Sequence, residues 1–174
     1  MQTMGIVEDF MSILTGVAGD PILYSAVFFV YAVLAAIVLP IPVEFGLILS
    51  PHTPWYVLAI VLGTGKAVGS LLVFKIGLEI EGPVRRWSQR FKFFGKFIDL
   101  CGRFVSRFGY YALYLLLSVP FMSDTAVLYI FSIVNKDGEA MELKWFAVVN
   151  FLAGVTRAIF LVTLLYIFNI NLFG

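Results

Sequence analysis

The sequence predicts an all-α integral membrane domain built from two inverted repeats. Of its 174 residues, 61% are hydrophobic and 13% are Asp, Glu, Lys or Arg, about half the charged fraction of a typical soluble domain. The stretches 55–80 and 145–168 are long and apolar enough for transmembrane helices, which need ~20 residues to cross a bilayer. Short motifs that occur twice, in the same order, indicate the repeats.

Each half carries a proline that is followed four residues later by an acid. Pro40 precedes Glu44 in the first half, and Pro120 precedes Asp124 in the second. Both pairs lie inside apolar stretches that are too short, once broken, to cross a membrane twice. Because proline removes a backbone donor and bends a helix, we expect each stretch to enter the bilayer, turn and come back.

Each half also carries a glycine and a base inside its long apolar helix. Gly-Thr-Gly-Lys-Ala occupies residues 63–67, and Gly-Val-Thr-Arg-Ala occupies residues 154–158. Charges in hydrocarbon are costly unless they are paired or hydrated, so they indicate function. A set repeated at matching positions is typical of a transporter built from two related halves.

The predicted order of elements begins with a short amphipathic helix over residues 5–18, lying on the membrane. A re-entrant hairpin follows at 22–50, broken by Pro40 and Pro42. The transmembrane helix 55–80 completes the first repeat. Its Gly63, Gly65 and Gly69, with Gly154 of the second repeat, are expected to pack helices closely, as small residues do in membranes.

Residues 83–108 separate the repeats and are predicted to form a basic amphipathic helix. Apolar residues recur there with the alternating three- and four-residue steps of one helical face. Such a helix is typical of a membrane interface carrying anionic headgroups; the alternative is a connector that packs on its own protein. Seven bases lie in this segment: Arg85, Arg86, Arg90, Lys92, Lys96, Arg103 and Arg107.

The second repeat is predicted as a re-entrant hairpin at 110–134, broken at Pro120, and a transmembrane helix at 145–168. Bases near spans are retained inside the cell, so we expect segment 83–108 on the cytoplasmic side of the plasma membrane. If 22–50 is re-entrant, the repeats have opposite orientations. An ordinary span at 22–39 is also compatible with the charges, but the duplicated motifs favour the inverted arrangement.

The four repeated charges are the candidate functional residues. Glu44 and Asp124 are predicted to carry a proton or cation, since burial favours the neutral form of a carboxylate. Lys66 and Arg157 are predicted to bind a phosphate headgroup, for which arginine offers a bidentate fork. The alternative is purely structural: the acids satisfy helix N-termini, and the bases are their counter-ions.

Other kinds of site find little support. Cys101 is the only cysteine and His52 the only histidine, which excludes an intrachain disulfide and a multi-histidine metal site. We therefore expect no metal and no cofactor. No nucleophile with a matching base is evident, and we expect neither catalytic residues nor an enzyme. The net charge of +1 implies no nucleic-acid partner. Membrane lipids bearing phosphate are the expected partners, and a homodimer is plausible.

Two stretches resemble the DedA family, which belongs to the superfamily with a SNARE-associated, or VTT, domain. They are Leu-Pro-Ile-Pro-Val-Glu at 39–44 with the glycine-rich helix after it, and Arg-Phe-Gly at 107–109 leading into Leu-Ser-Val-Pro at 117–120. The resemblance covers roughly residues 20–165. It implies two re-entrant hairpins and the movement of phospholipids or polyprenyl phosphates between leaflets, coupled in bacterial members to the proton-motive force.

The chain departs from the family at the second hairpin. Bacterial members typically have one arginine just before its proline and another a few residues after. Here those places hold Leu117 or Ser118, and Ser123 or Asp124, so the positive charge must come from elsewhere. The sequence thus predicts a flippase- or scramblase-type lipid transporter. A small-solute or cation exporter, to which a looser likeness exists, and a non-transporting membrane scaffold are the alternatives.

Overall fold

The computed structural model describes residues 9, 11–38, 43–49, 52–88, 92–120, 122–135 and 141–168. For residues 81–88, 92–99, 101–102 and 106 it describes the backbone only. The regular structure within these ranges is entirely helical, which confirms the all-α class. Besides a helical turn at 11–16, the helices are α1 (Pro21–Ile37), α2 (Glu44–Ile48), α3 (Trp55–Ser88), α4 (Lys92–Ser118), α5 (Asp124–Val134) and α6 (Leu143–Ile167).

Two of these helices are long and apolar enough to cross a membrane. They are the Trp55–Ile80 part of α3 and the whole of α6, with 26 and 25 residues. The start of α3 agrees with the predicted segment 55–80, but the helix continues to Ser88; α6 begins two residues before and ends one residue before the predicted 145–168, within the usual uncertainty of helix ends. The apolar helices α1 and α5 are shorter, because each ends or begins at a break in the chain.

Helices α1 and α3 run side by side in the same direction. A Cβ added to Gly65 would lie 2.6 Å from the Cβ of Ala32, and one added to Gly69 would lie 2.6 Å from the Cβ of Ala36. Contacts that advance together along both helices define a parallel pair. The glycines allow this approach because a side chain at either position would meet the other helix.

The chain between α1 and α3 turns back on itself. The hydroxyl of Tyr24, near the start of α1, donates to the carbonyl of Gly46 in α2 at 2.6 Å, and Gly46 also contacts the ring of Phe28. Helix α2 therefore lies beside the first half of α1, although it follows the end of α1 in the chain. Pro40 and Pro42, predicted to cause the turn, lie outside the described residues.

Helix α6 packs antiparallel to α3. A Cβ on Gly63 would lie 2.9 Å from the carbonyl oxygen of Phe151, and eleven residues later along α3 the ring of Phe74 meets that of Phe146, with centroids 5.1 Å apart. The partner numbers fall as the α3 numbers rise. Glycine at 63 lets the two backbones touch at this crossing.

In the second broken segment, as in the first, the helix before the interruption runs parallel to the long helix of the same half. Tyr110 of α4 accepts a hydrogen bond from the backbone of Glu142 at 2.6 Å, and seven residues later the carbonyl of Leu117 accepts from Arg157. The end of α4 thus runs parallel to α6. Helix α5 then returns towards the start of α6, where Asn135 makes two hydrogen bonds to the backbone of Met141, each 2.8 Å long.

The basic segment differs from its predicted bounds. Residues 83–88 continue α3, and the second helix of the segment begins only at Lys92. Arg103 and Arg107 are exposed on α4. Arg90 lies outside the described residues, as do the side chains of Arg85, Arg86, Lys92 and Lys96. A single pattern of apolar spacing could not place this boundary, since the same helical period continues through both helices.

A kink at Gly109 separates the amphipathic part of α4 from the part that packs against α6. Gly109 has φ 40° and ψ −118°, and a Cβ there would meet nothing within 4 Å. Only the backbone conformation therefore requires glycine at this position.

Replacing Gly109 with alanine is expected to destabilise the protein by ~1–2 kcal/mol, because an L side chain is strained at this φ. Thermal unfolding in detergent measures the effect. Gly19→Ala is the matched control, since Gly19 also lies in open space and has no such φ. Equal stability of the two variants would contradict the kink.

Candidate functional site: a buried charge cluster at the two breaks

Each predicted acid is the first residue of a helix that follows an interruption between two helices. Glu44 is the first residue of α2, and Asp124 is the first residue of α5. Helix α5 is capped by the Ser123 hydroxyl, which accepts from the Ala126 amide at 3.4 Å. Negative charge is favourable at a helix N-terminus. Both side chains are nevertheless buried: Glu44 is 0% exposed and Asp124 is 6% exposed.

Both predicted bases lie in the middle of the long helices and face each other. Lys66 of α3 is 0% exposed, and Arg157 of α6 is 1% exposed. A Cβ on Gly154 would lie 3.1 Å from the Cδ of Lys66, so glycine at 154 leaves the space that the lysine side chain occupies. The glycine of one repeated motif thus accommodates the base of the other.

The four charges form one connected network. Asp124 Oδ1 accepts a hydrogen bond from Lys66 Nζ at 3.1 Å and forms an ion pair with Arg157, 2.9 Å from its Nη2. Arg157 Nη1 lies 3.3 Å from Glu44 Oε1. The acid at each break is therefore paired with the base of the opposite half, and Arg157 connects both breaks.

Backbone carbonyls complete the network. The carbonyl of Leu117 accepts from Lys66 Nζ at 3.3 Å and from Arg157 Nε at 2.9 Å, and the carbonyl of Met122 lies 3.5 Å from Arg157 Nη2. The last carbonyls of a helix have no partner within that helix. Because α4 ends at Ser118, the break before Asp124 supplies acceptors for both buried cations.

The cluster lies between two apolar layers. One buried apolar cluster contains Leu62 of α3 and Ala158 of α6. The other contains Val73 of α3 and Ala153 of α6. Lys66 and Arg157 occupy the positions between these residues. Two acids and two bases compensate each other there, as buried charges require. In this arrangement an anion can pair with Lys66 or Arg157 only after that base has lost its contact with a carboxylate.

The glycines predicted to pack helices all lie at helix crossings. Gly63 and Gly154 meet where α3 crosses α6, and Gly65 and Gly69 lie against α1. His52 is exposed in the turn before α3. Within the described part of the chain, no group of three or more His, Cys, Asp or Glu residues could hold a metal ion.

Two buried polar residues near the cluster were not among the predicted site residues. Ser70 and Asn150 are each 0% exposed; the Ser70 hydroxyl donates to the carbonyl of Ala67, and the Asn150 amide donates to that of Phe146. Each lies four residues from a residue of the repeated motifs, Lys66 and Gly154. The spacing of a helical face would have revealed both.

Comparison of the chain with protein-family models, with curated proteins and with solved structures gave no match. The cluster and its place in the fold therefore carry the functional argument.

Proposed function

We propose that the protein is a membrane transporter that moves a phosphate-bearing lipid between leaflets. The observation that carries this proposal is the cross-paired set of four buried charges at the two breaks. Unsatisfied charge in hydrocarbon is expensive, and where charges are found at membrane depth they line the paths of ions and substrates. The resemblance to the DedA family supports a lipid as the substrate.

In the proposed membrane arrangement, α3 and α6 span the bilayer and the two broken segments are re-entrant. Each broken segment returns alongside the helix by which it enters, and α3 is antiparallel to α6. These directions support two inverted repeats whose breaks meet near the midplane, where transporters of this kind bind substrate. We place the exposed bases Arg103 and Arg107 on the cytoplasmic side, in accord with the charge rule for loops.

The proposed mechanism uses the balance of charge in the cluster. Protonation of Asp124 or Glu44 removes a negative charge and leaves Arg157, Lys66 or both without full compensation. A lipid phosphate can then take the place of the carboxylate, with the guanidinium as a bidentate partner. The hydrocarbon chains stay in the bilayer throughout. Release of the phosphate, followed by loss of the proton from the carboxyl group, restores the neutral cluster, so the carboxylates carry the coupled proton.

The test is lipid exchange in vesicles containing the purified protein and a fluorescent phospholipid, read with a quencher that cannot cross the membrane. The decisive variant combines Glu44→Gln, Lys66→Met, Asp124→Asn and Arg157→Met. Because no charge is left buried without a partner, this variant is expected to fold. Its rate of exchange is expected to fall to that of protein-free vesicles.

The control variant combines Lys75→Met and Lys144→Met, which remove exposed charges from the same two helices; it is expected to retain the wild-type rate. Wild-type exchange by a folded fourfold variant would refute the mechanism. A solute-driven current without lipid exchange would identify a small-solute or cation exporter instead. If the wild type gave neither lipid exchange nor current, a non-transporting membrane scaffold would be favoured.

A further inference from the structure

An apolar groove lies between α4 and α5 and has a volume of about 390 Å³. Its walls come from both sides of the Gly109 kink and from α5, and the exposed surface inside it is entirely apolar. The residues that line it include Phe104, Val105, Leu116, Met122, Ile130 and Phe131.

The groove joins the charge cluster to the amphipathic part of α4. Met122 lines the groove, and the carbonyl of the same residue lies 3.5 Å from Arg157 Nη2. Phe104 of the amphipathic part of α4 also lines it. A ligand in the groove therefore has a hydrocarbon environment close to a cation of the charge cluster.

The chemistry of the lining selects the ligand. A polar ligand would lose its hydrogen bonds to water without replacement in such a groove, whereas a hydrocarbon chain gains from burial. The volume falls in the range of ~300–1,000 Å³ that is usual for small-molecule sites. The nearby Arg157 favours a chain that belongs to a molecule with an anionic head, which can pair with the guanidinium once a carboxylate is protonated.

We propose that this groove holds one acyl chain of the transported phospholipid while its phosphate is at the charge cluster. The inference rests on the proposed function and adds to it the path of the chain. The second broken segment then guides the lipid as a whole, because head and chain contact successive parts of it. A groove of this kind favours lipids that have at least one long, flexible chain.

The experiment is photolabelling in vesicles with a phospholipid that carries a diazirine in the middle of one acyl chain, followed by mass spectrometry of the labelled residues. We expect labelling of Met122 and Ile130. Two variants fill the groove from different helices: Ile130→Trp on α5, and Phe104→Trp on α4, at a position that is 44% exposed and tolerant of a larger ring. Each is expected to lower labelling and lipid exchange about tenfold.

The control is Leu115→Trp, which adds the same ring at a residue of α4 that is 65% exposed and does not line the groove. It is expected to label and exchange lipid as the wild type does. Unchanged labelling in both groove variants would overturn the inference. So would labelling that falls while exchange does not, since the groove would then hold a resident lipid, and so would cross-links to a second copy of the chain.

Labelling does not depend on movement between leaflets, so the two proposals can fail separately. If the folded fourfold variant of the charge cluster exchanges lipid normally, the proposed function fails whatever the labelling shows. If the fourfold variant is inactive and the groove variants are fully active, only the path of the chain is wrong.

Discussion

Arg157→Met is expected to destabilise the protein by about 3–5 kcal/mol, the usual cost of removing one partner from a buried ion pair. Arg157 is 1% exposed and pairs with both Glu44 and Asp124. Methionine has a similar length but cannot compensate either carboxylate. Equilibrium unfolding in detergent micelles, followed by circular dichroism, measures the loss.

A second substitution distinguishes lost charge balance from lost packing. The double variant Arg157→Met with Glu44→Gln leaves one acid and one base, Asp124 and Lys66, which are 3.1 Å apart. It is expected to recover more than half of the lost stability. Lys144→Met removes an exposed charge from the same helix and should change stability by no more than ~0.5 kcal/mol. A double variant as unstable as the single one would show that Arg157 acts through packing.

Gly154→Ala is expected to destabilise the protein by ~2–3 kcal/mol, in the upper part of the range for overpacked cores. The added Cβ would lie 2.9 Å from the Cα and 3.2 Å from the backbone nitrogen of Gly63. Backbone atoms cannot rotate away as a side chain can, so α3 and α6 must move apart. The Cδ of Lys66, 3.1 Å from the same Cβ, would also be displaced from its contacts.

The matched control for this prediction is Gly16→Ala. Gly16 is helical and has nothing within 4 Å of an added Cβ. Alanine there should stabilise the protein by ~0.5–1 kcal/mol, because it lowers the conformational entropy of the unfolded chain. Thermal unfolding of both variants side by side gives the comparison. If Gly154→Ala were as stable as the wild type, the close approach of α3 and α6 would be wrong.

The cross-pairing of charges has a consequence for any movement of the two halves. Since Glu44 and Asp124 both contact Arg157, neither break can shift without affecting the other. A two-state element that two sites share is the physical basis of coupling. A change in either ion pair therefore alters the surroundings of the guanidinium that both acids share.

The sequence alone determined the local features of the fold. The helical class and the two long apolar helices follow from composition and length, since ~20 apolar residues in a row have few other stable structures. Pro120 predicted the break between α4 and α5, because proline cannot continue the backbone hydrogen bonding of a helix. The position of an acid four residues later predicted a charge at the start of α5.

The boundary between α3 and α4 could not be predicted from the spacing of apolar residues. Residues 83–108 carry one continuous helical period, yet 83–88 extend α3 and the sharp bend falls at Gly109. Periodicity reports which face of a helix is apolar, not where its axis changes direction. Glycine at 109 marks the bend only once its φ is known.

The sequence thus determined which residues carry charge in apolar surroundings, because hydropathy and spacing are properties of the chain itself. Only the tertiary structure decided their partners. Glu44 and Arg157 are far apart in the chain, and they meet because α2 folds back beside α1 while α6 packs antiparallel on α3. Long-range pairing depends on how the helix faces pack, and that packing is settled only when all the helices are in place.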